Sequence, residues 1–457
     1  MIKILIKVLS SNLVVLAMKL ISGFVFPALM TTQSYADYQT FSLYLSYITI
    51  LNLGFSTGMF VNYGGQPYDS LEKSRYKSEV TVLVGILCFF TVLFAGAWLF
   101  IRNEMLLYIT LCIIPYCVVC SYQSLYQAWG EFGRFTRTHI FTAAVPLLGS
   151  TVLYFIFRRL EAAYYIYLFI GIHVLYTVAI LLDACKRTRG VKSAPVFDEK
   201  NMQTLKLGFS ICIGNYINVL FHSVGKQFVK SLFDTETFAV FSFGLSLQTL
   251  MTVFITSVAQ PMYNFLAGGK VKEEQHGLFK QGLLLFGACS GLAFHACRFV
   301  VAWLVPKYNA SMEVTAIYFM AFPAMAVINC MYINLYKLTR QSKAYVRRLV
   351  TVLLLSVALN AVGVVLHKHM ISVTVATVAV YYIWLFMDAK RFPSLKIGLR
   401  DGVFLIAYFG AYLLSMQIGN AILAALAYLV MLALMGWLIY RETVKAAGAT
   451  VLKKLRK

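Results

Sequence analysis

Residues Leu207 to Val229 form a stretch long and apolar enough to cross a bilayer, which takes roughly 20 residues. The same stretch carries Asn215, Asn218, His222 and Lys226, spaced 3, 4 and 4 apart. That spacing puts all four on one face of a helix. A lysine near the bilayer centre costs about 2.5–3.5 kcal/mol on insertion scales. Such a stripe is sustainable where it faces a bundle interior or a water-filled cavity. The rest of the chain must therefore supply the helices that enclose it.

The composition agrees. The 457 residues are 60% hydrophobic with a mean hydropathy of +0.74, far from a soluble domain. Apolar runs recur at about the length of a membrane helix, which predicts an all-α polytopic membrane protein and not a β-barrel. The amino-terminal MIKILIKVLS has basic residues ahead of an apolar run but no small-residue cleavage site, so the first helix is expected to be retained. A net charge of +22 in a soluble protein would suggest nucleic acid. Here the basic residues sit in short loops between spans, and no nucleic-acid partner is expected. Cys117 and Cys120 form a C-x-x-C inside a predicted span with no partner pair, which reads as small buried side chains and not a metal or redox site.

Hydropathy predicts about fourteen spans, at 11–33, 41–62, 79–101, 104–127, 139–158, 162–182, 206–229, 237–264, 279–304, 312–336, 345–366, 370–388, 401–417 and 420–440. The amino terminus, the even-numbered gaps and the tail are basic, with Lys73, Arg75 and Lys77 or Lys343, Arg347 and Arg348 as examples. The odd-numbered gaps hold only Arg102, Arg158, Arg159, Lys230, Lys307 and Lys368. The positive-inside rule then places both termini in the cytoplasm. A repeat recurs at an offset of 200: Phe41-Ser42, Leu45-Ser46 and Thr49 match Phe241-Ser242, Leu245-Ser246 and Thr249. Both copies lie in the second span after a basic segment. Two pseudo-symmetric six-helix lobes around a central cavity follow, at 1–200 and 201–398. Residues 399–457 add a C-terminal helix pair and a basic tail.

The first span of each lobe carries polar residues. Asn12 and Lys19 are 7 apart, on one face over two turns. The candidate substrate-binding set is Lys19, Lys226, Asn12, Asn215, Asn218, His222 and Arg298. Each has a plainer alternative. Lys19, Lys226 and Arg298 can snorkel to an interface, and His222 can pack between helices. Glu79, Glu161, Asp183, Asp234, Glu236 and Asp388 all read as span ends or loops. A cavity with fixed cations and no carboxylate favours an anionic substrate such as a pyrophosphate. Asn52, Gln248, Asn329, Asn334 and Asn360 read mainly as hydrogen bonds between helices. Gly54 and Gly58 read as close helix packing, and Pro261 and Pro323 as kinks. No catalytic set, metal cluster or Gly-rich phosphate cradle is visible, so the chain reads as a transporter with no cofactor and not as an enzyme.

Four segments resemble a known family: Ser34-Tyr-Ala-Asp-Tyr-Gln-Thr-Phe-Ser42 leading into Leu51-Asn-Leu-Gly-Phe-Ser-Thr-Gly58, Gln127-Ala-Trp-Gly-Glu-Phe-Gly-Arg134-Phe, Leu207-Gly-Phe-Ser-Ile, and Thr237-Phe-Ala-Val-Phe-Ser-Phe243. They are similar to the polysaccharide biosynthesis proteins, the Wzx-type O-antigen and exopolysaccharide flippases of the multidrug/oligosaccharidyl-lipid/polysaccharide superfamily. The resemblance implies two lobes in a V and alternating access in a bacterial cytoplasmic (inner) membrane. Its implied cargo is an undecaprenyl-pyrophosphate-linked oligosaccharide. Membrane lipids and other polysaccharide assembly proteins are the implied partners. Lipid II flippases of the same superfamily have fourteen spans, so a lipid II-type flippase is one alternative. A cation-coupled multidrug exporter is another, and it predicts an intramembrane carboxylate.

Overall fold

The computed structural model describes residues 18, 21–268 and 273–445. Among them all regular structure is helical, apart from one isolated bridge between Met30 and Leu160. Eleven helices are long and apolar enough to cross a membrane, and two bent pairs raise the number to 13. The first expected span enters the described residues only as helix α1, over 21–29. The other expected spans each have a helical counterpart.

The chain divides into two compact units between Ser223 and Val224. The sequence placed a boundary at 200, in the basic linker. The linker is tied to the first unit. Ala194 N–H donates to the Ser74 carbonyl (3.1 Å), and Ser78 Oγ donates to the Pro195 carbonyl (2.9 Å).

The first unit holds α1, α2 (Thr32–Ile48), α3 (Phe55–Tyr63), α4 (Lys73–Ile101), α5 (Glu104–Ala128), α6 (Phe132–Phe157), α7 (Ala162–Arg187) and the first part of α8 (Glu199–Leu232). Helix α5 is central and packs against α2, α3, α4, α6 and α7. Helix α4 turns apolar side chains outward, with Phe100 91% exposed, as lipid contact requires. The α2–α3 span is bent by 64°. At the bend Leu53 and Gly54 are left-handed, with φ of 50° and 75°. Asn52 holds this break: its Oδ1 accepts from Gly54 N–H (2.7 Å) and its Nδ2 donates to Ser56 Oγ (3.0 Å).

The break brings α3 backbone against α8 backbone. A Cβ on Gly54 would lie 2.5 Å from the Gly208 carbonyl oxygen, and one on Gly58 2.1 Å from that of Thr204. A Cβ on Gly208 would lie 2.0 Å from the Gly54 oxygen. The close packing read from Gly54 and Gly58 is therefore real, with Gly208 as its third member. Small residues at membrane helix crossings permit this approach.

The second unit holds the end of α8, α9 (Thr235–Ala267), α10 (His276–Ala288), α11 (Ser290–Leu304), α12 (Ser311–Phe319), α13 (Phe322–Val327), α14 (Ile333–Leu338), α15 (Ser342–Leu366), α16 (Met370–Arg391), α17 (Leu399–Met416) and α18 (Ala421–Ile439). Pro323 sits in the first turn of α13, after a 48° bend from α12. Pro261 lies inside α9, which is one unbroken helix. The position matching Gly54 of its repeat partner is Phe254. The last pair docks on α11. Tyr428 Oη donates to the Ala288 carbonyl (2.6 Å), and its ring covers Gly291.

The repeat is legible where the fourth span of each unit ends. After Tyr126 the turn has bonds from Trp129 N to Leu125 O, Gly130 N to Gln127 O and Glu131 N to Tyr126 O. After Tyr336 the same three recur, from Thr339 to Leu335, Arg340 to Lys337 and Gln341 to Tyr336. Gly130 and Arg340 are both left-handed, with φ of 74° and 52°.

The glycine crossing generates a paired prediction. Gly58→Ala should lower the thermal midpoint of the detergent-solubilised protein by several degrees, because Thr204 backbone cannot yield. Gly85→Ala, where a Cβ meets nothing within 4 Å, should leave it unchanged or raise it by the equivalent of about 0.5–1 kcal/mol.

Candidate functional site

The stripe on α8 is its accessible face. Asn215 and His222 are exposed, and Asn218 and Lys226 are half-buried. The Lys226 ammonium lies 5.9 Å from the centroid of the Phe238 ring, which Lys230 shares at 5.0 Å. Asn215 and Asn218 side chains make no hydrogen bond among the described residues. Other span amides are engaged. Asn334 Nδ2 donates to the Ala259 carbonyl (2.9 Å), and Gln248 Nε2 lies 3.8 Å from Met325 Sδ. Asn329 and Asn360 bond back to their own helices. The stripe amides are thus among those with no side-chain partner in the described residues. Three stripe residues fall in the first unit and Lys226 in the second. Asn12 and Lys19 lie outside the described residues.

Arg298 goes elsewhere. Its guanidinium donates to the carbonyls of Met416 (3.4 Å), Ile418 (3.0 Å) and Gly419 (3.3 Å), which close the end of α17. A cation there complements the helix dipole. The arginine holds the α17–α18 turn, so the geometry gives it a structural partner. His295 bonds Ser415 Oγ (3.0 Å), and His173 bonds the Phe169 carbonyl (2.7 Å), as packing histidines do.

The carboxylates correct the sequence reading. Glu79 and Asp388 are not at exposed ends: both lie within helices and are 0% exposed. Asp401, passed over in the sequence, is 2% exposed. Each has entered the apolar body with a cation and further donors. Glu79 pairs with Arg75 (3.2 Å) and accepts from Thr204 Oγ1 (3.2 Å) and from the Tyr63 hydroxyl. Thr204 in turn accepts from Asn62 (2.9 Å). This cluster ties α3 and α4 to the start of α8. Asp388 pairs with Arg348 (2.7 Å) and accepts from Tyr336 Oη and Trp384 Nε1, both at 2.8 Å. Asp401 pairs with Lys280 (2.6 Å) and accepts from Tyr440 Oη (2.9 Å).

The basic residues of the loops are therefore more than topology markers. In the first unit Arg134 bonds Asp183 (2.6 Å) and Arg187 bonds Glu131 (3.1 Å). In the second, Arg348 bonds Asp388 and Arg391 bonds Gln341 (3.1 Å). Arg134 faces the ring of Tyr126 and Arg391 that of Tyr336, at 6.0 and 5.7 Å. The clamp is duplicated along with the turn it closes.

Asp234 and Thr237 line a cavity of about 330 Å³ with Lys368 and His369. Thr237 N–H donates to Asp234 Oδ1 (2.8 Å) and holds its carboxyl below the usual range. An apolar groove of about 730 Å³ runs along α4 past Val92, Gly96 and Phe100. Neither is lined by a stripe residue. Among the described residues no group of three or more metal-ligating side chains comes together.

These features define a class: an all-helical polytopic membrane protein, with 11 to 13 helices long and apolar enough to cross a membrane among the described residues. Among solved structures the chain is similar to the lipid II flippase MurJ in its inward closed conformation. The TM-score is 0.65 at 13% identity, over 97% of this chain and 100% of that one. The likeness is one of fold. No family model matches the chain, and no curated protein matches it.

The buried ion pairs can be tested against each other. Asp401→Ala strands the Lys280 ammonium and should cost about 3–5 kcal/mol. The joint change Lys280→Met with Asp401→Leu should recover most of that loss. Chemical unfolding of the purified protein in detergent, compared across the three variants, measures both.

Proposed function

We propose that this chain is a flippase that carries a polyprenyl-pyrophosphate-linked oligosaccharide across a bacterial cytoplasmic membrane. The polar head passes along the α8 stripe while the hydrocarbon tail stays in lipid. The observation that carries this is the stripe itself: two open amides, an accessible imidazole and a lysine on one helical face, in a chain whose buried carboxylates are already paired. Lys226 engages the pyrophosphate, with Lys19 as its counterpart on the first span and Asn12 beside it. Asn215, Asn218 and His222 contact the head group. The fold of a lipid II flippase supports transport of a lipid-linked head. The basic gaps support cytoplasmic termini, and the cargo is loaded from that side.

The same likeness supports a second reading, in which lipid II itself is the cargo. Complementation of cells depleted of their lipid II flippase separates the two. Rescue assigns lipid II, and failure with normal expression favours another glycan. A cation-coupled exporter is less well supported, because Glu79, Asp388 and Asp401 each already hold an arginine or lysine.

Lys226→Ala removes one charge-assisted contact, worth about 1.5–3 kcal/mol. It should lower the rate of surface-glycan appearance about 10–100-fold in a strain that depends on this chain. Unchanged display at equal protein level would overturn the role of the stripe.

A further inference from the structure

Phe197 is 101% exposed, the most exposed large apolar side chain among the described residues. It lies in the linker between α7 and α8, and the linker there is fixed. Asn201 Nδ2 donates to the carbonyl of Val196 (2.9 Å), and Met202 N–H to that of Asp198 (3.1 Å). The backbone is thus held on both sides of Phe197. Asn201 Nδ2 also donates to Ser78 Oγ (2.9 Å), and Lys77 Nζ to the Val191 carbonyl (3.0 Å), so the segment is pinned to the first turns of α4. Those contacts fix its depth. The apolar run of α4 begins at Val80, two residues beyond Ser78. Pro195 and Val196 therefore lie at the edge of the hydrocarbon, in the headgroup layer.

A fixed backbone that presents a bare phenyl ring at this depth has acyl chains within reach to bury it. The apolar line continues along α8. Met202 and Phe209 are both exposed and lie seven residues apart on one face, and Asn218 lies half a turn round from Phe209. The line therefore runs down the side of α8 away from the polar stripe, as a lipid-facing surface should. Its surround is basic. Residues 186–200 hold five basic side chains against Asp198 and Glu199, and Arg189, Lys192 and Lys200 are exposed. The two carboxylates are turned to neighbours: Asp198 Oδ1 accepts from Lys200 N–H (3.4 Å) and Glu199 Oε1 from Gln203 Nε2 (3.2 Å). An apolar wedge ringed by cations complements an anionic bilayer surface. A soluble partner would have to enter the headgroup layer to cover the ring. We infer that residues 189–202 form a binding surface for anionic phospholipid, with Phe197 among the acyl chains and Arg189, Lys192 and Lys200 on the headgroup phosphates. With the basic gaps in the cytoplasm, this is the cytoplasmic leaflet, which anionic lipids make negative. The surface holds the linker and the start of α8 to the membrane, and it does not depend on the cargo.

The test uses the full-length protein carrying Phe197→Trp, reconstituted in discs of phosphatidylcholine. Emission of the new indole is the difference from the unaltered protein, which has five tryptophans. Two probes are added at equal mole fraction, phosphatidylglycerol and phosphatidylcholine, each brominated on its acyl chains. Both should quench the new indole, and acrylamide in the water should not. The phosphatidylglycerol probe should be about fivefold more effective, the scale of one basic residue near an anionic surface. Arg189→Gln with Lys192→Gln and Lys200→Gln should abolish that preference and leave quenching by brominated phosphatidylcholine in place. Should the triple variant not fold, about 1 M salt carries the test, because it cuts the Debye length to about 3 Å and should remove the same preference. An indole quenched by acrylamide and not by brominated lipid overturns the inference and leaves Phe197 to a soluble partner. Equal quenching by the two lipids, or a preference that survives loss of the basic residues or high salt, overturns the assignment to anionic headgroups.

Discussion

A charge or polar group withdrawn from water into an apolar body must take its partners with it. The buried carboxylates Glu79, Asp388 and Asp401 obey this. Glu79 sits at 0% exposure because Arg75, Thr204 and Tyr63 all point hydrogens at it. Asp388 and Asp401 are held by the same means, one cation and neutral donors each. Against this background an unsatisfied group is informative. Asn215 and Asn218 are amides in a membrane-length helix that make no side-chain hydrogen bond among the described residues.

Helix α8 has a double allegiance. Its first half is welded to the first unit at two levels, by the backbone crossing at Gly208 and by Thr204 in the Glu79 cluster. Its last turns belong to the second unit, where Gly225 lies against Val373, Tyr318 and Thr377. The crossing explains the break in the second span. A straight helix through Leu53 and Gly54 would not offer its backbone to α8. The left-handed pair, capped by Asn52, turns the chain so that it does. The break is conformationally costly for Leu53, whose φ of 50° is one that bulky residues avoid.

The positions of the described spans were readable from hydropathy alone, because a bilayer demands length and apolarity regardless of packing. Closeness at Gly54 and Gly58 was readable too, since glycines in a membrane helix have few other uses. The bend between them was not, because the local signal was sought in proline. Pro261 lies inside an unbroken helix, whereas Gly54 makes the sharper turn. The carboxylates were misread for a related reason. Glu79 falls at the first edge of the apolar run, so hydropathy places it near water. Only the return of α3 and of the linker over that end buries it. Arg298 had the same hydropathy signature as Lys226. What separates them is the α17–α18 turn, 120 residues further along the chain, whose carbonyls no local pattern could have placed beside the guanidinium.

The repeat divides scaffold from site. The arginine clamp after the fourth span persists in both units, down to matching turn hydrogen bonds and left-handed residues, although the sequences there share little beyond Tyr126 and Tyr336. In the first unit Arg134 and Arg187 each meet both Glu131 of the turn and Asp183, whereas in the second the two jobs are split, Arg348 on Asp388 and Arg391 on Gln341. The second span behaves oppositely. Its sequence match at Phe41 and Phe241 is the better one, yet α2–α3 breaks and α9 is one unbroken helix. Divergence after Thr49 and Thr249 therefore changed the backbone and not just its decoration. The kinked copy is the one whose backbone meets α8 at Gly54, Gly58 and Gly208.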